Sequence, residues 1–362
     1  MPTPKTKIAI ACQGGGSQTA FTAGVLKGLF EEGVHKDFNI VSLSGTSGGS
    51  ICAALAWYSL AKKDPEPWRR IIEFWNENTA QSPAEQAFNQ FVVESMRTVS
   101  RGQMPQFNIS PSSPVLTSMF GAVASKFRPR FTDLRALLEA HMDFSELKRW
   151  GALEDGPALL LGAVNILTGQ LVKFSSRTGE IRVEHILSSC AVPNIFPAVE
   201  FDGGAYWDGL FSDNPPVKEL IRPIYVGRQN IPHEVWVIKI NPTVCARVPS
   251  APEAIGDRRN QLVGNVSLFQ GLDSLAFIND LLRNNALRPE FLQQFDVKEP
   301  IRIPRAYPGA EDRDYYIPFI EMSAELQAKL DYESKIDRSP ENIGMLMADG
   351  EKQARVFLNE RG

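Results

Sequence analysis

One short stretch near the start of the chain constrains the fold more than any other. Residues 40–50 read Ile-Val-Ser-Leu-Ser-Gly-Thr-Ser-Gly-Gly-Ser, and an apolar helical pattern follows from 51 to 61. An apolar run that ends in small residues and leads into this pattern predicts a strand, a sharp turn and a helix. The turn contains Gly45-x-Ser47-x-Gly49, the G-x-S-x-G pattern of a nucleophile elbow.

The spacing of this pattern has a physical reason. A serine on a tight strand-to-helix turn has its hydroxyl pushed outward, and the residues two positions to either side must lack side chains to avoid a clash. The first amides of the new helix and the positive end of its dipole point toward the serine. Because other glycine-rich turns match the same pattern by chance, the pentapeptide is a hypothesis that depends on its context.

A second strand and helix precede the elbow. Residues 8–12 predict a buried parallel strand, Gly14-Gly15-Gly16 follows it, and a helical pattern over 20–30 ends near Gly33. With the second strand at 39–43, the first sixty residues form a β-α-β-α unit. This order predicts an α/β fold of three layers, α/β/α, with a central and mostly parallel sheet.

Residues 62–130 differ from this pattern because they predict helices and loops without a strand. Helical patterns cover 68–75 and 84–96, and a proline-containing loop covers 105–114. The frequent aromatic residues and methionines here fit the core of a helical insertion, or the apolar inner face of a lid over the active site. We therefore predict one domain over 1–362, with an insertion or lid at 62–130.

The rest of the chain alternates between strands and helices. Strands are predicted at 158–166, 171–174, 234–240 and 317–322, and helices at 133–150, 181–189, 267–285 and from 325 and 341 onward. Residues 241–362 are predicted to form a mostly helical C-terminal extension.

Charge and apolar content limit the possible partners. The net charge of −4 and the absence of a dense Lys/Arg tract argue against nucleic-acid binding. No apolar stretch approaches the roughly 20 residues of a membrane span. We expect a soluble cytoplasmic protein for which peripheral membrane contact stays open.

Cysteine and histidine usage predicts neither disulfides nor a metal site. Cys12, Cys52, Cys190 and Cys245 are far apart in apolar contexts, so we expect buried free thiols in a reducing compartment. The four histidines are scattered and form no ligand cluster, so we predict no metal and no cofactor.

A serine nucleophile needs an oxyanion hole and a base. The amides of Gly14, Gly15 and Gly16 would face the crevice at the end of the neighbouring strand, which suits a developing negative charge. A phosphate cradle is the competing interpretation, although Thr19 stands where G-x-G-x-x-G requires a third glycine. For the base, no histidine lies in an obvious catalytic turn. Asp-Gly pairs occur at Asp202 and Asp208, and such pairs are often simple turns.

Four blocks in this order resemble the patatin-like phospholipases, which are lipid acyl hydrolases with a Ser-Asp dyad on an α/β/α sheet. The blocks are Gly14-Gly15-Gly16 with the helix after it, Gly45-Thr46-Ser47-Gly48-Gly49, residues 188–197 (Ser-Ser-Cys-Ala-Val-Pro-Asn-Ile-Phe-Pro), and residues 207–215 (Trp-Asp-Gly-Leu-Phe-Ser-Asp-Asn-Pro). The resemblance covers about residues 7–60 and 155–240.

The resemblance implies roles for individual residues. Ser47 is the nucleophile and forms an acyl-enzyme, and Asp208 is the base because Asn-Pro follows its Asp-Gly pair, whereas Asp202 belongs to the hairpin turn before it. The implied oxyanion hole consists of Gly14, Gly15 and Gly16 with Gly48, and the motif glycines are Gly45, Gly49 and Gly209.

The implied activity is carboxylic ester hydrolysis of the phospholipase A type, with a lipid substrate and no cofactor. Two departures from the family pattern are present. Gln18 and Thr19 replace a basic residue and a glycine, which removes a cation from the mouth of the site, and Leu210 replaces a glycine. Three alternatives stay open: an esterase of small soluble esters, a polyester depolymerase, and an inactive scaffold that binds an anion or nucleotide.

Overall fold

The computed structural model describes residues 4–104, 126–193, 195–295, 299–307 and 311–361. Its strands are β1 (Lys7–Cys12), β2 (Asn39–Gly45), β3 (Ala158–Asn165), β4 (Leu171–Ser175), β5 (Val199–Phe201), β6 (Gly204–Asp208), β7 (Glu234–Lys239), β8 (Ile303–Pro304), β9 (Tyr316–Ile317) and β10 (Ile320–Glu321). Among the described residues, β8 and β9 pair with each other and the other eight strands form one sheet.

The helices surround this sheet. They are α1 (Ala20–Glu31), α2 (Val34–Asp37), α3 (Gly48–Ala61), α4 (Arg69–Asn78), α5 (Pro83–Ser100), α6 (Pro129–Thr132), α7 (Leu134–His141), α8 (Phe144–Trp150), α9 (Val183–Ser189), α10 (Pro223–Val226), α11 (Pro252–Arg283), α12 (Pro289–Phe295), α13 (Ala324–Gln327) and α14 (Pro340–Glu360). None of the helices in the described ranges combines the length and the apolar character that a bilayer span requires.

The main sheet is parallel through its centre and buried on both faces. Its strand order is β10-β7-β1-β2-β3-β6-β5, and the pairs from β10 to β3 are parallel. Successive side chains of a strand point to opposite faces. Ile8 and Ile10 of β1 accordingly pack in one core with α1, α3 and α14, whereas Ala9 and Ala11 pack in a second core with α11. The predicted three-layer α/β/α fold is confirmed.

The pairing of β3 determines where the site lies. β4 runs antiparallel along one edge of β3. On the other edge, β2 pairs with the first half of β3 and β6 pairs with its second half. Gly45, at the end of β2, is opposite Leu161, and Asp208, at the end of β6, is opposite Ala163. Two segments far apart in sequence therefore end side by side at the carboxyl edge of the parallel strands.

Most predicted elements are present. The strand predicted at 317–322 is divided into β9 and β10, which belong to different sheets, and three further predictions need correction. The strands predicted at 8–12, 39–43, 158–166, 171–174 and 234–240 agree with the structure to within about two residues. The helix predicted at 133–150 is divided, because Asp143 caps a new helix through the amides of Ser145 and Glu146. The helix predicted from 267 begins at Pro252 in the structure. The prediction missed its first half because that half exposes apolar side chains and does not show the amphipathic pattern of a surface helix.

Cys245 is the third correction. It is exposed, while Cys12, Cys52 and Cys190 are buried as expected. Cys245 lies in the loop after β7, where its apolar neighbour Val244 is exposed as well. An apolar neighbour in sequence therefore did not indicate burial at this position.

The domain boundaries stay a prediction. The described parts of 62–130 contain α4, α5 and α6 and no strand, and the loop predicted at 105–114 lies outside the described residues. The C-terminal extension contributes β10 to the edge of the main sheet, and its last helix, α14, packs against α1.

Candidate active site

Ser47 occupies a strained turn between β2 and α3. Its φ of 55° and ψ of −134° lie in a region that residues with a side chain rarely adopt. A Cβ on Gly49 would overlap the carbonyl oxygen of Cys12, and a Cβ on Gly45 would overlap the carbonyl of Gly49. The turn therefore requires glycine at both positions, for the reason that the sequence spacing indicated.

Hydrogen bonds on both sides hold the Ser47 backbone in this conformation. Its N–H lies 3.0 Å from the carbonyl oxygen and 3.1 Å from the Oγ of Ser189, at the end of α9. Its carbonyl oxygen accepts from Ser50 Oγ at 2.6 Å and from Cys190 Sγ at 3.3 Å. The small residues of the 188–197 block thus fix the elbow, a role that the sequence pattern did not reveal.

Asp208 is fully buried beside this turn. Its N–H donates to the carbonyl of Ala191 at 3.0 Å, and its Oδ1 accepts from the N–H of Leu210 at 2.8 Å. Oδ2 has no hydrogen-bond partner of normal geometry among the described residues. Burial raises the pKa of Asp208 to about 7, and the N–H of Leu210 and the nearby Ser47 hydroxyl oppose this rise.

Asp202, the other aspartate of the sequence analysis, lies in an exposed turn. It joins β5 to β6 with a φ of 49°, next to Gly203 with a φ of 73°, and its carboxylate pairs with Arg182. Two consecutive residues with positive φ are typical of the tight turns that close β-hairpins. The structure therefore brings Asp208 close to Ser47 and leaves Asp202 in the hairpin turn.

The glycine loop after β1 contacts the elbow. A Cβ built on Gly14 would be 2.8 Å from the Cβ of Ser47. The N–H of Gly14 donates to Asn214 Oδ1 at 2.7 Å, so this amide already has an acceptor. The N–H groups of Gly15, Gly16 and Gly48 have no acceptor within the described part of the chain. These three amides are therefore available to bind a negative charge.

A buried glutamine, Gln13, connects the start of the glycine loop to neighbouring segments. Gln13 Oε1 accepts from the backbone N–H groups of Ile240 and Asn241 at 2.8 and 2.9 Å. Its Nε2 donates to Asn265 Oδ1 at 2.9 Å and to the carbonyl of Gly264 at 3.0 Å. The sequence analysis missed this residue, although a glutamine between a buried strand and three glycines was a usable signal.

The segment after Asp208 is fastened to the elbow and to α11. Thr46 Oγ1 donates to the carbonyl of Asp213 at 2.6 Å, and the N–H of Asn214 donates to Ser267 Oγ at 2.9 Å. Lys173 Nζ lies 2.6 Å from the Asp213 carboxylate, and both side chains are almost completely buried. These contacts fix the position of the Asp208 segment relative to Ser47.

Gln18, where the resemblance leads one to expect a cation, is turned away from solvent. It is buried, and its Nε2 donates to Ser334 Oγ at 2.7 Å and to the carbonyl of Asp331 at 3.1 Å. Its side chain therefore ties the glycine loop to the C-terminal extension.

The histidines are engaged elsewhere, as the search for a base predicted. His35 packs on Phe30, His141 contacts Glu77, His185 stacks on Phe174, and His233 accepts from the N–H of Lys7. Burial lowers the pKa of His185 to about 4. Unlike the four histidines, Asp208 lies at the elbow.

Comparison with known families identifies this arrangement. The model of the patatin-like phospholipase family matches residues 10–221, more than half of the 362-residue chain. The chain belongs to the patatin-like phospholipase family. Membership makes it a lipid acyl hydrolase at the level of the family. The matched range of this patatin-like chain contains the glycine loop, the elbow and Asp208.

Two solved structures resemble the patatin-like chain at low identity. VipD from Legionella pneumophila is 15% identical with a TM-score of 0.39, over 99% of this chain and 68% of that one. The ExoU-SpcU complex of Pseudomonas aeruginosa matches at 16% identity with a TM-score of 0.25, over 82% of this chain and 58% of that one. At such TM-scores neither likeness bears on function. A comparison with curated proteins finds no match.

The bond between Asn214 and Gly14 allows a first prediction. Asn214→Ala leaves the Gly14 amide without its acceptor and frees the glycine loop, so we expect kcat on a soluble ester to fall about 10-fold to 100-fold with a smaller change in KM. Asn279→Ala is the matched control, because Asn279 is also buried and also bonds backbone groups, those of Ile301. An equal loss of kcat in both variants would show that only stability was affected.

Proposed function

We propose that this chain is a serine ester hydrolase of the phospholipase A type that works through a Ser47–Asp208 dyad. One observation carries the proposal: a strained elbow serine lies beside a fully buried carboxylate whose Oδ2 has no partner of normal geometry in the described residues. A pKa of about 7 makes Asp208 a far better base than an ordinary carboxylate, whose pKa is about 4.

The chemistry begins with acyl transfer. Asp208 Oδ2 accepts the proton of the Ser47 hydroxyl while Oγ attacks the carbonyl carbon of the ester. The tetrahedral intermediate places its negative oxygen against the amides of Gly15, Gly16 and Gly48, which are free to donate. We assign Gly14 to positioning, because its amide is bound by Asn214.

The remaining steps return the enzyme to its starting state. The intermediate collapses to an acyl-enzyme, and the proton held by Asp208 passes to the departing alcohol, which for a phospholipid is the lysophospholipid. Water then gives its proton to Asp208 and attacks the acyl carbon, and the released Ser47 oxygen takes the proton back. The products are a free fatty acid and an alcohol, and no cofactor takes part.

A chain-length series tests this function. We expect p-nitrophenyl esters of long fatty acids to react faster than the acetate, and phosphatidylcholine to yield fatty acid and lysophosphatidylcholine. Ser47→Ala measures the background rate. Fastest turnover on the acetate with no reaction on phosphatidylcholine would indicate a small-ester or polyester hydrolase. No turnover on any ester together with calorimetric binding of nucleotides would indicate an inactive scaffold.

A further inference from the structure

Segment 331–335 lies directly against the glycine loop. A Cβ built on Gly16 would be 2.2 Å from the carbonyl oxygen of Lys335, so the two backbones touch and leave no room for a side chain. Gln18, at the end of the loop, donates to two groups of the same segment, at 2.7 and 3.1 Å. A shift of this segment would therefore move Gly16, whose N–H is one of the three amides available to an oxyanion.

The same segment is also connected to the start of the loop. Lys335 Nζ donates to Asn241 Oδ1 at 2.7 Å, and the N–H of Asn241 donates to Gln13 Oε1 at 2.9 Å. Gln13 immediately precedes the three glycines. Segment 331–335 is thus connected to the loop at its beginning, in its middle at Gly16 and at its end.

An ion pair joins segment 331–335 to helix α5. Arg97 of α5 donates to both carboxylate oxygens of Asp331, from Nε at 2.7 Å and from Nη2 at 3.3 Å. The two side chains are 27% and 34% exposed, so water screens this pair less than a fully exposed one. A second contact joins Ser100 Oγ, at the end of α5, to the buried carboxylate of Glu333. Two bonds from one guanidinium fix the angle of the carboxylate as well as its distance.

Asp331 connects this ion pair to the glycine loop within one residue. Its Oδ1 also accepts from the N–H of Ser334 at 2.8 Å, and its carbonyl accepts from Ser334 Oγ at 2.5 Å and from Gln18 Nε2 at 3.1 Å. The carboxylate that binds Arg97 is therefore part of the same turn that holds Gln18. Helix α5 is linked to the loop through Arg97, Asp331 and Gln18 in succession.

Tyr332, in the same segment, lies within range of the Asp208 charge. Burial raises the pKa of Tyr332, and the charges of Glu333 and Asp208 add to the rise. Segment 331–335 therefore borders the candidate active site as well as the glycine loop. The family model matches residues 10–221, so family membership does not account for this segment.

We propose that Asp331 is a positioning residue for the oxyanion hole, and that its ion pair with Arg97 makes the placement of the Gly16 amide depend on helix α5. This inference rests on the proposed function, because it concerns the amides that bind the oxyanion. Such donors act only at hydrogen-bonding distance from the developing charge, and a displacement of about 1 Å can cost about 100-fold in rate. Loss of the ion pair keeps every donor but releases the segment behind Gly16. It should therefore lower kcat and leave substrate binding almost unchanged.

Kinetics on a soluble p-nitrophenyl ester and amide hydrogen exchange of residues 13–18 test the inference together. Arg97→Ala should lower kcat about 10-fold and keep KM within about twofold of wild type. The hydrogen-bonded amides of Gln13, Gly14 and Gln18 should exchange faster in this variant, because the loop is held less firmly. Arg97→Lys keeps the charge and should recover most of both losses.

Lys27→Ala is the matched control. Lys27 pairs with Glu351 at similar exposure and joins α1 to α14, about 10 Å along α1 from its first residue. This variant should keep the kcat and the exchange rates of wild type. The double variant Arg97→Ala/Asp331→Ala should be no slower than Asp331→Ala, because both changes remove the same pair. Equal melting temperatures show that all the variants fold.

The contrary outcomes are specific. Wild-type kcat and exchange in Arg97→Ala, or equal losses in Lys27→Ala, would overturn the inference. A change in only one of the two measurements would overturn it as well, because the same loosening must appear in the loop and in the rate. If the wild-type protein hydrolyses no ester, the proposed function fails, and the exchange of residues 13–18 still decides whether the ion pair holds the loop.

Discussion

Ser47→Ala is expected to lower kcat on a soluble p-nitrophenyl ester by at least about 10⁴-fold. The reason is that alanine keeps the elbow but removes the oxygen that attacks the ester. Steady-state kinetics measure the loss, and circular dichroism checks that the variant folds. Substantial residual turnover in a pure preparation would mean that another residue is the nucleophile.

The same position also links activity to stability. Ser47→Gly is expected to abolish turnover and to raise the free energy of unfolding by about 1–2 kcal/mol, because glycine adopts the φ of 55° and ψ of −134° without strain. Ser50→Gly is the control in the same turn. It removes the bond from Ser50 Oγ to the Ser47 carbonyl and puts glycine in a helix, so it should destabilise the protein by about 1 kcal/mol. A lower free energy of unfolding in Ser47→Gly than in wild type would contradict the claim that the Ser47 backbone is strained.

Asp208→Asn is expected to reduce kcat/KM by about 10²-fold to 10⁴-fold, because an amide cannot accept the serine proton. In the wild-type protein the ionised carboxylate is the base, so kcat/KM should rise with pH and level off above about 7, the pKa that burial gives Asp208. A pH–rate profile from acid to neutral pH measures this. Asp202→Asn, in the exposed hairpin turn, should keep activity and the same profile. Inactivation by Asp202→Asn alone would transfer the role to that residue.

The raised pKa of Asp208 also lowers the stability of the folded protein at neutral pH. The folded protein holds a proton on Asp208 up to about pH 7, whereas the unfolded chain loses it near the ordinary value of 3.8, so this group lowers stability as pH rises between the two. Asparagine is never ionised. Asp208→Asn should therefore be more stable than wild type above pH 7, by up to about 4 kcal/mol, and the difference should vanish below about pH 4. Denaturant titrations at several pH values measure it.

The sequence predicted those parts of the site that depend on local patterns. The elbow could be read from an apolar run, two glycines and a helical period, all within a few residues of Ser47. The choice of Asp208 over Asp202 depended on the nearby Asn-Pro pair. The structure agrees that Asp202 is a turn residue, and it places Asp208, which is buried, at the end of β6.

Contacts between segments distant in the sequence could not be predicted from local patterns. Ser47 depends on Ser189, 142 positions away, and Gln13 bonds Asn265, 252 positions away. No periodicity or turn signal states which distant polar group satisfies a buried amide. The first half of α11 was missed for a related reason, because its outer stripe is apolar and does not show the amphipathic period of a surface helix.

The most direct test of the dyad is labelling with a fluorophosphonate probe, followed by peptide mapping with tandem mass spectrometry. The proposal predicts an adduct on Ser47 in the wild-type protein, with a labelling rate that increases through about pH 7 as Asp208 ionises. It predicts no adduct in Ser47→Ala and slow labelling of Ser47 in Asp208→Asn. An adduct on a different residue, or undiminished labelling of Ser47→Ala, would contradict it.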